Sequence, residues 1–246
     1  MIERQTEIVT AAGRMPTFIT HPERDGPHPA VLLLMDAGGI REELRTLARR
    51  LATAGYYVLL PNLYYRDGAD TEFTDEVDTP GSPAQLRVME RYLRLKSASV
   101  VEDTSGLLAF IDTDPAARSG PVGCFGFCMS GPFALAVAAT HADRFAAAVS
   151  IHGTNMVTAE PDSPHRLAAR IKAELYIAWA EHDSFAPLTD ISQLRTALGE
   201  AGTPFELEVH SGTEHGFTFP RRPWFDRAAS DKVWERMFAL FRRRLG

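Results

Sequence analysis

The sequence predicts one α/β domain, spanning 1–246, built on a mainly parallel central sheet flanked by helices in three layers. Three observations predict it. Short apolar runs alternate with segments of helical periodicity along most of the chain, the pattern of a parallel sheet with covering helices. The run 30–35, Ala-Val-Leu-Leu-Leu-Met, is apolar without alternation, as a strand buried on both faces must be. Residues 121–140 read as strand, sharp turn and helix, with Gly126-Phe127-Cys128-Met129-Ser130-Gly131 at the turn.

The remaining elements follow in order. Residues 8–9 and 15–19 flank Ala11-Ala12-Gly13 and read as two short strands about a turn. A loop rich in proline, glycine and charge covers 21–29, before the strand at 30–35. Leu44, Leu47, Ala48 and Leu51 recur at helical spacing, so 41–54 is a helix that Gly55 stops. Residues 56–60 form the next strand, ended by Pro61. The polar stretch 62–83 is too long for a simple connection; long loops in compact domains are usually functional, so it reads as a rim or lid. Helices are expected at 84–95 and 100–111, and strands at 146–151, 174–180 and 205–210. Helices at 188–201 and over much of 226–244 complete the set, with Arg242-Arg243-Arg244 placed to complement the last helix dipole.

Composition narrows the function classes. Apolar residues make up 45% of the 246 and charged residues 24%, as in a soluble globular protein able to bury a full core. A net charge of −6 argues against a nucleic-acid groove. No stretch is apolar for long enough to span a membrane, and the first residues lack the apolar core of a signal peptide. The two cysteines, Cys124 and Cys128, would lie roughly 13 Å apart in an extended segment, too far to bridge. A reducing, cytoplasmic setting is therefore expected. Histidines and cysteines show no paired metal-ligand spacing, so no metal or cofactor is expected.

The run 126–131 has the form of a nucleophile elbow, G-x-[SC]-x-small, in its expected strand-turn-helix context. Small residues are required because the turn strains its central residue and side chains two places away would collide. A thiol at that tip also sits at a helix N-terminus, where unpaired N–H groups favour thiolate. The bland alternative is that Cys128 is a buried hydrophobe, the commonest fate of a free cysteine. Ser130 is a second possible nucleophile, although it occupies the slot that demands a small side chain.

A thiol nucleophile needs a base, and the base an orienting carboxylate, following in the order acid, then histidine. Asp183, just past the strand 174–180, and His215, just past the strand 205–210, occupy those places. Loops beyond the C-terminal ends of parallel strands share one edge, so Cys128, Asp183 and His215 can converge there. Glu181 and His182 rival Asp183, and His152, after the strand 146–151, competes with His215.

The stretches 126–131, 180–187 and 214–217, together with 30–45 and 55–66, resemble the dienelactone hydrolase family, cysteine members of the α/β-hydrolase fold. Pro61-Asn62-Leu63-Tyr64 is similar to the family's Pro-Asp-Leu-Tyr. The resemblance implies Cys128 as nucleophile, His215 as general base and acid, and Asp183 as the orienting acid. It implies an acidic residue that activates the thiol at Asp36, which otherwise caps a local turn ahead of Gly38-Gly39. It also implies an oxyanion hole from the backbone N–H groups of Ala37 and Met129. Family members that act on dienelactone hold its carboxylate with two arginines. Arg87 or Arg91 stands for the first, with a solvated helix arginine as the alternative. The second is absent, since Gly216-Phe217-Thr218-Phe219 follows His215. Tyr64, Trp179 and Phe217 are then candidates for an apolar substrate pocket. The expected activity is hydrolysis of a lactone or small ester through a thioester. A general carboxylesterase or thioesterase, or a non-catalytic binding protein that kept the fold, is the alternative.

Overall fold

A computed structural model describes residues 1–68, 79 and 81–246. Half of the segment read as a rim or lid, 69–78 and 80, lies outside the described residues. The chain divides into two compact units, Met1–Gly120 and Pro121–Gly246.

In the first unit, strands β1 (Ile2–Thr10) and β2 (Gly13–His21) form an antiparallel hairpin, paired without a break from Ile2↔His21 to Thr10↔Gly13. Both strands are nine residues long, well beyond the short runs that the sequence predicts. The missed part of β1 is polar and exposed, so neither alternation nor burial marks it; backbone pairing alone makes it strand. Strand β3 (His28–Leu34) is buried from Ala30 onward and pairs in parallel with β4 (Tyr57–Pro61), which pairs antiparallel with β2. The order is therefore β1-β2-β4-β3.

Helix α1 (Glu42–Thr53) buries Leu44, Leu47, Ala48, Leu51 and Ala52 against β2 and β4. Its first turn carries Glu42 and Glu43, which suit the positive end of the helix dipole. Helices α2 (Pro83–Arg94) and α3 (Ser97–Thr113) follow. The α3 helix packs on β1 so closely that a Cβ at Gly106 would lie 2.4 Å from the carbonyl oxygen of Val9.

Strand β5 (Ala117–Phe127) leads into the second unit. There β5, β6 (Phe145–Ile151), β7 (Glu174–His182) and β8 (Phe205–Glu214) pair in that order, all parallel. Helix α4 (Gly131–Thr140) packs on β6 and is buried at almost every position, which explains its unbroken apolar sequence. A one-turn helix α5 (Pro164–Leu167), which the sequence did not announce, precedes β7. Helices α6 (Thr189–Glu200) and α7 (Arg227–Leu245) complete the unit. Asp226 caps α7 by accepting from the N–H of Ala229 at 2.8 Å, and Val233, Trp234, Met237, Leu240 and Phe241 form its buried stripe. The eight strands are thus mixed in direction, with the antiparallel pairings confined to β1, β2 and β4.

Candidate active site

The turn after β5 is built for close approach. Cys128 has φ 51°, a left-handed conformation that is strained in any residue but glycine by about 1–3 kcal/mol. A Cβ at Gly126 would stand 2.2 Å from the carbonyl oxygen of Ser130. A Cβ at Gly131 would stand 2.5 Å from both the Cα of Gly153 and the Oγ of Ser150. The first small residue demanded by the motif, Gly126, is therefore sterically enforced, and so is Gly131, directly after the second small position at Ser130. Thr154, beyond β6, fixes the turn by donating its N–H to the carbonyl of Cys128 at 3.1 Å.

The thiol of Cys128 sits at this tip and is half-buried. Ser130 is fully buried, and its hydroxyl is spent on the backbone of Phe127: it donates to the carbonyl at 3.1 Å and accepts from the N–H at 3.0 Å. A hydroxyl held in that way cannot reach a substrate carbonyl. Cys124 is buried in β5 against the carbonyl of Ala134, and burial pushes its thiol far up, to where it stays protonated.

Asp183 and His215 follow directly on β7 and β8. Along these strands Ala180 pairs with His210, whereas His182 pairs with Glu214, so the register shifts between them. The two additional residues of β8 are accommodated around Gly212, at φ 73°, whose N–H donates to Glu181 at 2.7 Å. Thr213 ties the bulge to the carbonyl of His210 at 2.7 Å. This shift sets His215 beside Asp183.

The Nδ1 of His215 donates to Oδ2 of Asp183 at 2.7 Å, and the other carboxylate oxygen accepts the N–H of Phe185 at 2.9 Å. The Asp183 side chain is fully buried, that of His215 partly open. The His215 ring also hydrogen-bonds the side chain of Cys128. Burial opposes charge on this imidazole, but the electrostatic attraction of Cys128 and the bonds to Asp183 and Cys128 outweigh it, and His215 is pushed up to about 10. Nucleophile, base and carboxylate thus form one connected chain within the second unit.

The rivals lie elsewhere. Glu181 holds the Gly212 turn, and His182 is largely exposed beside it. His152 is buried beside His215, with ring centroids 5.0 Å apart, but among the described residues has no carboxylate partner; its Nε2 bonds the hydroxyl of Thr218 at 3.0 Å.

Asp36, Ala37, Tyr64, Arg87 and Arg91 belong to the first unit. Asp36 accepts from Arg41 on both oxygens, at 2.5 and 3.0 Å, and from the N–H of Gly38 at 3.2 Å. Its carboxylate is therefore engaged as a turn cap and ion-pair partner. Arg41, which the sequence marks only as a helix start, is the residue that reasoning from periodicity missed. Tyr64 is buried and donates its hydroxyl to the carbonyl of Ala37 at 3.0 Å, orienting that peptide. Arg87 is exposed on α2 and Arg91 half-buried.

Two of the proposed pocket aromatics lie behind the surface. Trp179 is 1% exposed, with its N–H donated to the carbonyl of Ala186 at 2.7 Å, and Phe217 is fully buried between His152 and His210. They shape the loops around the triad from below. Among the described residues an exposed aromatic does stand by the base: Phe185, 61% open, has its ring 5.1 Å from that of His215. Its position two residues after Asp183 was the available signal.

Among the described residues no group of three His, Cys, Asp or Glu side chains is placed to hold a metal ion. Among the same residues no helix is long and apolar enough to cross a membrane.

Comparison with known proteins agrees with this architecture. A crystal structure from Klebsiella pneumoniae, of a protein provisionally called a dienelactone hydrolase, superposes with a TM-score of 0.87 at 26% identity, covering 98% of both chains. The carboxymethylenebutenolidase of Rhodococcus opacus is 28% identical over 240 residues, 95% of this chain and 88% of that protein. An Escherichia coli K12 protein, provisionally given the same name, is 26% identical over 96% of this chain and 85% of its own. The mixed sheet with flanking helices is accordingly the α/β-hydrolase fold. The model of the dienelactone hydrolase family matches residues 15–245, and the chain is a member of that family of hydrolases.

Proposed function

We propose that this enzyme opens a lactone or cleaves a small carboxylic ester by Cys-His-Asp catalysis through an acyl-thioester on Cys128. The observation that carries the reading is His215, bonded at once to a buried carboxylate and to a half-exposed sulfur at a strained turn. The thiolate of Cys128 attacks the acyl carbonyl and forms a C–S bond. The amide of Met129, directly after the nucleophile, is the donor for the developing oxyanion. The C–O bond then breaks, and the imidazolium of His215 gives its proton to the departing alkoxide, which in a lactone stays tethered. Water attacks the thioester next, its proton passes to His215, and the C–S bond breaks to free the acid. Asp183 holds the ring in the tautomer and orientation that both steps require. No cofactor enters these steps.

A specific observation favours a second reading, a general carboxylesterase or thioesterase with little lactone preference. Phe185 and Leu188 present exposed apolar surface on the loop beside the base, where a hydrophobic acyl or alcohol group could lie. The family match across 15–245 supports treating both units as one domain. Two free cysteines suit a reducing compartment such as the cytoplasm. Hydrolysis of a panel of lactones, aryl esters and thioesters by wild type and Cys128→Ala tests the proposal. Activity confined to wild type supports it, and an unchanged Cys128→Ala rate overturns it.

A further inference from the structure

His152 is a residue whose position the triad does not explain. It is 1% exposed and adopts φ 38°, a strained backbone for a non-glycine residue. Its ring is enclosed by Phe127, Phe217 and Phe219, with centroids 5.8, 5.8 and 5.5 Å away, and stands edge-on to His215 at 5.0 Å. Its Nε2 meets the hydroxyl of Thr218 at 3.0 Å, whereas Nδ1 is buried and, among the described residues, has no hydrogen-bond partner beyond the backbone of His152 itself. An unpartnered buried polar atom costs about 1–3 kcal/mol, so a phenylalanine here would be the cheaper choice for packing alone. The hydroxyl of Thr218 is the side-chain partner that fixes the ring through Nε2.

The same loop also reaches the nucleophile, because Thr154, two residues on, donates its N–H to the carbonyl of Cys128 at 3.1 Å. One short segment after β6 thus braces both the elbow and the base. Resting on the triad proposed above, we propose that His152 is a positioning residue. Tied through Nε2 to Thr218 and packed edge-on against His215, its ring holds the base in line between Asp183 and Cys128.

Burial and the neighbouring charge of His215 keep His152 uncharged, and it therefore adds no second cation beside the base. The titratable groups facing His215 are then Asp183 after β7, Cys128 after β5 and His152 after β6. His210 stands beyond Phe217. Loss of alignment would weaken the bonds to Asp183 and Cys128 that raise His215, so the pH at which it loses its proton would fall.

The test is the pH dependence of kcat and KM for p-nitrophenyl acetate and a neutral γ-lactone. The enzymes compared are wild type, His152→Phe, His152→Gln, Thr218→Val and His215→Ala. The expected result for His152→Phe is a kcat loss of about tenfold with KM nearly unchanged, since small misplacements of a catalytic group cost this much or more. Its alkaline limb should move to lower pH, a change that mere loss of folded protein cannot produce. His152→Gln, which keeps a donor for Thr218, should recover most of both. Thr218→Val leaves the strained position untouched and should move the limb in the same direction even if His152→Phe does not fold. Limbs and kcat within twofold of wild type in every His152 and Thr218 variant, with His215→Ala inactive, overturn the positioning role and leave the triad standing. An active His215→Ala overturns the triad, and this role with it.

Discussion

Asp183 and His215 meet because β7 and β8 fall out of step just before them. Ala180 pairs with His210, but His182 pairs with Glu214, so β8 spends two more residues than β7 over that interval. Had the register continued unchanged, Thr213 would lie beside Asp183. The bulge at Gly212 moves His215 into its place, and the 2.7 Å hydrogen bond to Asp183 fixes the imidazole. Bulges next to functional sites commonly re-aim a side chain in this way.

Asp183→Asn should therefore lower kcat by about 10²–10⁴-fold, because an amide can hold the wrong tautomer of His215. The asparagine is nearly isosteric and keeps an acceptor for the N–H of Phe185, so folding should persist. Steady-state kinetics with circular dichroism on the same sample checks both halves; a kcat within threefold of wild type would remove Asp183 from the mechanism.

Limited iodoacetamide should abolish activity with one adduct, on Cys128. Cys124 is fully buried, and burial holds its thiol protonated, so it should stay unmodified in the folded protein. Peptide mapping after stoichiometric labelling gives the answer. Full activity with Cys128 labelled is the contrary outcome.

His215→Ala should reduce kcat/KM by several orders of magnitude, whereas His182→Ala should remain within a few-fold. The side chain of His182 is largely exposed and pairs only with Glu181, at 3.7 Å. Parallel assays of the two variants on one aryl ester distinguish them, and a dead His182→Ala would redraw the site.

Two histidines set opposite pH trends. His215 is raised from 6.5 to about 10, so its contribution to stability is complete below about 6.5 and is lost as pH rises through about 10. The acylation step needs its proton, so kcat/KM should fall along the same alkaline limb. His152 is held well below 6.5 by burial, then by the charge of His215. Its contribution is present above about 6.5 and is lost on acidification, because the unfolded chain takes up a proton that the folded one refuses. One such proton steepens the loss by up to about 1.4 kcal/mol per pH unit. Urea unfolding from pH 4 to 10 on wild type, His152→Gln and His215→Gln should show a shallower acid loss in the first variant, where His21, His165 and His210 still contribute, and a shallower alkaline loss in the second.

Neutral lactones or short aryl esters should be hydrolysed at least as well as a lactone carrying a free carboxylate. No arginine stands among the four residues after His215, Gly216-Phe217-Thr218-Phe219, and the loop beside it shows Phe185 to solvent. A substrate carboxylate buried without a charged partner loses hydration and gains little. Comparing kcat/KM for matched lactones, then repeating with Arg87→Ala and Arg91→Ala, decides the matter. A strong preference for the carboxylated lactone that either substitution removes would establish an anion site on α2.

Much of this was legible before any coordinates. The apolar run 30–35, the stripe Leu44, Leu47, Ala48 and Leu51, and the Ala-rich segment of α4 each carry their own burial pattern, so β3, α1 and α4 could be named from periodicity. The elbow was legible because its small residues are steric necessities: a Cβ at Gly126 or Gly131 would collide with the turn or with the loop after β6. What stayed hidden has a common physical form. The polar half of β1 is strand only because β2 pairs with it. Asp36 reads in sequence as a thiol activator or a turn cap, and neither reading shows that Arg41 occupies both its oxygens. Trp179 and Phe217 look like pocket walls and prove to be core, while Phe185 is an aromatic left open.

The sequence by itself determined the chemistry on offer, namely a thiol at a turn that requires glycine two places before it and small residues just after it, with acid and histidine later in order. Local sterics and hydrophobic period are properties of neighbouring residues, and they survive in a linear reading. The tertiary structure alone decided which of three histidines meets Asp183, since that depends on a register shift between strands some thirty residues apart. It also decided that His152 stands beside the base with, among the described residues, no carboxylate of its own. Pairing across strands and the burial of a particular ring are set by the packed whole, and no local pattern encodes them.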